Sequence, residues 1–462
     1  MSGLQRVGLV LAPVAFALPL VVDVPGLDAP GERMLAIFLL AIVLWVSEAI
    51  PLFATAAVII GAEIALVSDQ ALLALPAAYD PPAFATFYEA LAHPVLILFL
   101  GGFFLADGAA KFALDRNLAA VLLRPFGSSP RAIMLGMMTI TAVLSMFMSN
   151  TATTATMMAV VLPLVATLEP GDRLRTGLVL SIPVAANVGG LGTPVGSPPN
   201  AIALGGLVDA GVPITFVQWM AMTVPFMLVV LIGAWLLLGR LFPSSGRDLA
   251  LDLTPKFERS RPAVVFYATF VVTVLLWLTE PLHGVPATIV GFVPVIVLLA
   301  TRVFGADDLR GVRWDVLWLV AGGIALASGV AATGLDEWLL GLVDWQELPT
   351  AALLVVLAAT GLVLSTVISN SATANLLVPL GIALAASPAV AAAPLAVGVL
   401  IAVGCSLAMS LPVSTPPNAI AYSTGWVQTR DLALTGVIVG TAGVALFVLA
   451  GPWLWSLVGL LP

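Results

Sequence analysis

Long unbroken apolar stretches constrain this chain more than any other feature. Residues 7–22, 34–50, 264–278, 288–300 and 435–449 are almost continuously hydrophobic. About 20 such residues in a helix span a bilayer core of roughly 30 Å. Hydrophobic residues make up 61% of the chain and charged ones 9%, whereas a soluble domain is about a quarter charged. A water-soluble surface cannot be built from that composition. The runs do not alternate with a period of two, which excludes a transmembrane barrel. The expected fold is an all-α polytopic membrane protein. The run at 7–22 lacks a small-residue cleavage site and reads as a first span, not a removed signal peptide.

Other chemistries lack their residues. The single cysteine, Cys405, lies in an apolar stretch and reads as an inert small hydrophobe. His93 and His283 stand beside prolines with no Cys, Asp or Glu cluster at ligand spacing, so no transition-metal site is expected. The same want of His, Cys or paired carboxylates near the polar motifs argues against an intramembrane enzyme.

Internal repeats organise the rest. PVLILFLGGFFLADGAAKFALD at 94–115 matches DVLWLVAGGIALASGVAATGLD at 315–336, an offset of 221. SNTATTATMMAVVLPL from Ser149 matches SNSATANLLVPL from Ser369, and GSPPNAIA at 196–203 matches STPPNAIA at 414–421. A weaker pair joins WVSEAIP from Trp45 to WLTEPLHGVP from Trp277. The chain therefore divides into an extra N-terminal span at 1–29, a first repeat at 30–242, a linker at 243–261 and a second repeat at 262–462. Spans are expected near 7–22, 33–50, 52–68, 94–108, 176–207 (broken), 215–239, 262–279, 286–301, 315–329, 395–424 (broken) and 433–458, giving 11 transmembrane segments. Residues 130–168 and 350–386 read as two re-entrant helical hairpins.

Charge placement orients this arrangement. With the N-terminus cytoplasmic, every one of the 17 basic residues except Arg33 falls inside, Lys111, Arg131, Arg240, Arg247 and Arg313 among them. The outer loops are acidic, with Asp23, Asp69, Asp80, Glu89, Asp336, Glu337, Asp344 and Glu347. The C-terminus is then outside. The first hairpin follows an inner loop and the second an outer one, so the repeats are inverted, as in many secondary transporters. The basic loop 243–261 is expected to be a cytoplasmic link, not a nucleic-acid surface. Glu63, inside a span, could bind a proton, but its place near the outer end favours a snorkelling or locally paired carboxylate. Trp219, Trp277, Trp453 and Trp455 are expected in interfacial belts or in packing.

Polar, irregular backbone at membrane depth occurs only where it is buried in protein or lines a cavity. SMFMSNTATT at 145–154 crowds hydroxyl and amide groups into one hairpin, and GGLGTPVGSPPN at 189–200 breaks the next span with Gly and Pro. STVISNSATAN at 365–375 and SLPVSTPPN at 410–418 repeat the arrangement. Carbonyls, hydroxyls and Asn oxygens without a carboxylate suit sodium better than calcium or magnesium. Helix N-termini after each break suit an anion. None of the four segments holds Lys or Arg, so a bound anion needs mobile cations to neutralise it, which couples the two flows.

Paired SNT-type motifs, each followed by a (G/S)-(S/T)-P-P-N loop, resemble the divalent anion:sodium symporter family, as does EAIPLFAT at 48–55. The resemblance covers nearly the whole chain. It implies a homodimer in a plasma membrane such as the bacterial inner membrane, with a scaffold domain and an elevator-type transport domain that carries dicarboxylates, tricarboxylates or sulfate. It implies one sodium site at Ser145, Ser149 and Asn150 with the backbone around Gly196. A second is implied at Ser365 and Asn370 with the backbone around Ile368 and Ser414. Substrate carboxylates are implied at Asn150, Thr151, Ser369, Asn370 and Ser371, with Ser197, Pro198, Thr415 and Pro416 alongside. Ser371 stands where dicarboxylate carriers most often have Thr, which enlarges the pocket by a methyl. The expected function is sodium-coupled import of C4-dicarboxylates such as succinate, malate or fumarate. A sodium-independent exchanger, a sulfate or citrate carrier and, from another class, an ion channel are the alternatives.

Overall fold

The structure is a computed structural model that describes residues 3–169, 171–244, 255–342, 349–387, 390 and 392–461. Arg247, Asp344 and Glu347, used above to orient the chain, lie outside the described residues. Among those described, every regular element is a helix. Ten of the described helices are long and apolar enough to cross a membrane, as composition demands.

Element order recurs. Helices Ala29–Ser47, Leu52–Leu66 and Pro94–Lys111 are followed by Pro130–Phe147, Asn150–Ala166, Leu174–Gly189, Pro198–Asp209 and Phe216–Leu241. The same order returns at Arg261–Leu278, Ala287–Ala300 (kinked at Gly291), Trp314–Ala332, Thr350–Val367, Asn370–Ala386, Pro394–Ser406, Pro416–Ser423 and Thr429–Leu457. Gly3–Val21 precedes both series and packs on Ala29–Ser47. Each segment read as a hairpin is a pair of helices, parted at Met148–Ser149 and at Ile368–Ser369 by extended backbone. Each segment read as a broken span is likewise two helices around an irregular loop.

The sequence pattern did not reveal the short helices Leu114–Leu122 and Leu335–Gly341, which lie between a long helix and the next helix pair. Asp115 on the first of them accepts a 2.5 Å hydrogen bond from Thr156 of helix Asn150–Ala166. Asn117 exchanges hydrogen bonds with the Lys256 backbone, anchoring the far end of the linker.

The two series brace each other. Helix Pro94–Lys111 packs on Ala287–Ala300, and Trp314–Ala332 packs on Leu52–Leu66, so each contact joins one half to the other. Glu280 adds a polar tie, accepting from the Phe216 and Ala287 amides. Trp219, Trp277 and Trp455 are fully buried and donate to the carbonyls of Leu191, Ala287 and Met222. Of the four tryptophans weighed, Trp453 is exposed.

Glu63 departs from expectation. It neither snorkels nor pairs: it is fully buried, and neither carboxyl oxygen meets a donor. The close packing of helix Leu52–Leu66 on Trp314–Ala332 encloses it against Gly329 and the Met34 sulfur.

Lys111 bridges to Asp308 in the short helix Ala306–Gly311 between Ala287–Ala300 and Trp314–Ala332, at 2.8 Å to each carboxylate oxygen. Burial pushes the Asp308 carboxyl up. The Lys111 hydrogen bond, the Gly305 amide and the Lys111 charge outweigh that and hold it below its ordinary value. A carboxyl depressed in the folded state stabilises the fold above its unfolded pKa of about 4. That contribution is lost as pH falls through the lower folded value. Acidification from pH 7 to 3 should therefore lower the melting temperature slightly more in the parent than in Lys111→Met. The difference is under about 1 kcal/mol, because the pair is partly solvated.

Candidate functional site

Four helices begin at one place. A cavity of about 340 Å³ is lined by Ser149, Asn150 and Thr151 at the start of Asn150–Ala166, and by Ser369, Asn370 and Ser371 at the start of Asn370–Ala386. Ser197–Pro199 and Thr415–Pro417, opening Pro198–Asp209 and Pro416–Ser423, complete its polar wall. All nine residues expected at the substrate, namely Asn150, Thr151, Ser197, Pro198, Ser369, Asn370, Ser371, Thr415 and Pro416, line this cavity. Each helix start carries a fraction of a positive charge. The half-helices open with Pro-Pro, which offers no N–H at those positions. At the first two positions, amide donors therefore come from the two hairpin helices, while Ser197 and Thr415 bring their own amides to the half-helix starts.

The first expected cation set converges. Ser145 is buried, and its hydroxyl lies 2.5 Å from Asn150 Oδ1 and 2.9 Å from the Ala186 carbonyl. One hydroxyl proton cannot serve both acceptors, so these oxygens form an electron-rich cluster of the kind a cation fits. The Asn150 amide sits against Gly190, which in turn touches Gly196. Ser149 and Gly196 face the cavity, whereas Ser145 lies behind it.

The second set has orphans. Ser365 Oγ and Asn370 Oδ1 are both buried atoms without a hydrogen-bond partner, with the Cys405 thiol beside Ser365. Ser414 lines the cavity and donates to the Thr366 carbonyl at 2.7 Å. Ile368 is extended and does not line it. A buried oxygen left without a donor is costly, and a sodium ion is one group that would satisfy such oxygens.

The last residue of each Pro-Pro-Asn loop has a role that its motif alone does not indicate. Asn200 donates to the carbonyls of Gly190 and Thr193, both at 2.8 Å. Asn418 does the same to Met409 and Leu411, at 2.7 and 2.9 Å. Each amide staples the irregular loop before it. Presence of Asn at the same place in both motif copies was the available signal. Asn418→Asp, isosteric but short of both donors, should leave two carbonyls unpaired and cut transport at least about tenfold, given about 1–3 kcal/mol per unsatisfied buried group. Initial uptake rates by reconstituted variant and parent check this.

The halves also interlock at the cavity floor. Asn187, another lining residue the motifs did not indicate, donates to Thr415 Oγ1 at 3.2 Å. The hydroxyls of Ser197 and Ser406 lie 3.0 Å apart. The apolar wall comes from Phe53, Phe99, Phe103, Phe147, Val316 and Leu319.

One basic side chain reaches the cavity from outside the four motifs. Arg313 lines the rim, with its Nε and Nη2 each 3.1 Å from the Asp315 carboxylate. The pair is neutral as a unit, so the polar wall still carries no free basic group.

The sodium:sulfate symporter transmembrane-region model matches residues 5–461. A sodium-dependent dicarboxylate transporter, SdcS, of Staphylococcus saprophyticus is 31% identical over 96% of this chain and 90% of its own length. The SdcS of Staphylococcus aureus is 29% identical over the same shares. Among solved structures, the YdaH transporter of Alcanivorax borkumensis superposes with a TM-score of 0.58, covering 94% of this chain and all of that one. At 14% identity that likeness speaks to the fold alone.

Proposed function

The chain belongs to the divalent anion:sodium symporter family of membrane transporters, and we propose that it imports C4-dicarboxylates such as succinate, malate and fumarate together with sodium. The observation that carries this reading is the meeting of four helix starts around one cavity with unpartnered oxygens and no free basic group. The helix starts attract a dianion. The oxygens of Ser145, Asn150, Ser365 and Asn370 hold sodium, whose charge offsets the substrate's. Each ligand thereby raises the affinity of the other.

In this reading the helices Ala29–Ser47, Leu52–Leu66, Pro94–Lys111, Arg261–Leu278, Ala287–Ala300 and Trp314–Ala332 form the scaffold. The hairpins, the broken spans, Phe216–Leu241 and Thr429–Leu457 form a module that rises and falls as an elevator. The protein acts as a homodimer in the bacterial inner membrane, N-terminus inside and C-terminus outside, with inverted repeats giving the two access states.

An anion exchanger of the same family is the second reading. The unpartnered oxygens of Ser365 and Asn370 favour symport, since an exchanger has no need of a cation site. Uptake of labelled succinate into proteoliposomes separates the two. An inward sodium gradient should drive accumulation into vesicles that contain no dicarboxylate. Uptake that requires internal dicarboxylate and ignores sodium would select the exchanger, and labelled sulfate and citrate in the same vesicles test the other anions.

A further inference from the structure

Two adjoining clefts are lined by none of the residues around the transport cavity. Helices Phe216–Leu241 and Thr429–Leu457 pack together, and their small residues Gly233, Ala234, Ala442 and Gly443 leave an apolar groove of about 500 Å³ between them. Val229, Leu236 and Ile438 on its walls are exposed. Arg240 lines this groove and also a smaller pocket of about 140 Å³, shared with Arg131, Trp235, Leu236 and Gly239. Leu236 and Arg240 belong to both, so groove and pocket adjoin.

We propose that this is a binding site for an anionic phospholipid, with an acyl chain along the groove and the phosphate between Arg131 and Arg240. Both helices are long and apolar enough to cross a membrane, so the groove is exposed to hydrocarbon and only an apolar chain fills it without loss. The adjoining pocket is lined by two arginines and no acid. Among the described residues neither arginine pairs with a carboxylate. Among the described residues, Arg240 makes only a long 3.5 Å contact with the Leu236 carbonyl of its own helix. Planar guanidinium groups bind phosphate oxygens in pairs, and basic pockets between membrane helices suit anionic head groups.

The pocket is also pre-formed. Trp235 Nε1 donates to the Arg131 carbonyl at 2.9 Å, fixing the start of helix Pro130–Phe147 against Phe216–Leu241. A lipid held there ties the base of the first hairpin to the long helix beside it. Its preference for a charged head group follows from the two arginines, and its retention follows from the groove.

The test is thermal unfolding of the full-length protein in detergent with added phosphatidylglycerol or phosphatidylcholine of equal chain length, with native mass spectrometry of retained lipid. Phosphatidylglycerol should raise the melting temperature by several degrees more than phosphatidylcholine. Arg131→Gln and Arg240→Gln should each weaken its retention roughly fivefold, and the double variant should erase the difference between the lipids. Gly233→Leu starts its side chain where an added Cβ meets no atom within 4 Å, so it should fold and weaken both lipids alike. Equal stabilisation by the two lipids would overturn the proposal, as would a preference that survives the double variant. So would free glycerol phosphate acting as well as the lipid, or a Gly233→Leu change that dissociates a dimer without altering lipid retention.

Discussion

Asn150→Ala and Asn370→Ala each abolish solute uptake, lowering the initial rate at least about 100-fold, while both variants still purify as folded protein. Each change removes an amide at a helix start on the cavity wall and with it an oxygen of an expected cation site. Losing a hydrogen bond to a charged group and a cation ligand together costs about 3 kcal/mol or more, and each 1.36 kcal/mol is roughly tenfold in rate. Folding survives for a specific reason. Asn370 Oδ1 has no protein partner to lose, and Ser145, released from Asn150, keeps the Ala186 carbonyl. Radiolabel uptake beside a melting curve reads both effects. Normal uptake by either variant would remove the site assignment.

The second large effect is on folding. Gly101 and Gly322 occupy matching places in Pro94–Lys111 and Trp314–Ala332, offset by 221. A Cβ on Gly101 would sit 1.8 Å from the Gly291 carbonyl oxygen, and one on Gly322 would sit 2.3 Å from the Ala56 Cβ. In both cases the obstruction includes backbone of a helix from the other half, which cannot swing aside as a flexible side chain does. Gly101→Val and Gly322→Val should each cost more than about 3 kcal/mol, beyond the usual cost of overpacking. Loss of monodisperse protein, or a fall in melting temperature of many degrees, is the expected readout. Gly61→Ala is the control, because a Cβ there meets nothing within 4 Å; it should be neutral or slightly stabilising. Wild-type stability in either valine variant would mean that the helices do not meet as described.

Much of this was legible in the residues. Apolar runs located the long helices, since length and hydropathy are local properties. The motif copies located the cavity, because polar breaks at membrane depth have few places to go. Other features depended on distant packing. Arg313 reaches the cavity from a loop outside every motif, and nothing local marks it. The fate of Glu63 was set by how closely Leu52–Leu66 lies on Trp314–Ala332, so its depth in a span misled. The helices Leu114–Leu122 and Leu335–Gly341 were too short to stand out from the loops around them. Asn200 and Asn418 were visible as letters but not as staples, since their partners are carbonyls that only a folded loop presents.

In the proposed function, sodium and a dicarboxylate share one site at the two Ser-Asn hairpin tips. Equilibrium binding of succinate to the purified protein, titrated with and without sodium at constant ionic strength, tests it most directly. Reciprocal coupling of about 1–3 kcal/mol predicts that sodium tightens succinate binding roughly 5- to 150-fold, that succinate tightens sodium binding by the same factor, and that Asn370→Ala removes both effects. A succinate affinity that is measurable but indifferent to sodium would contradict the account.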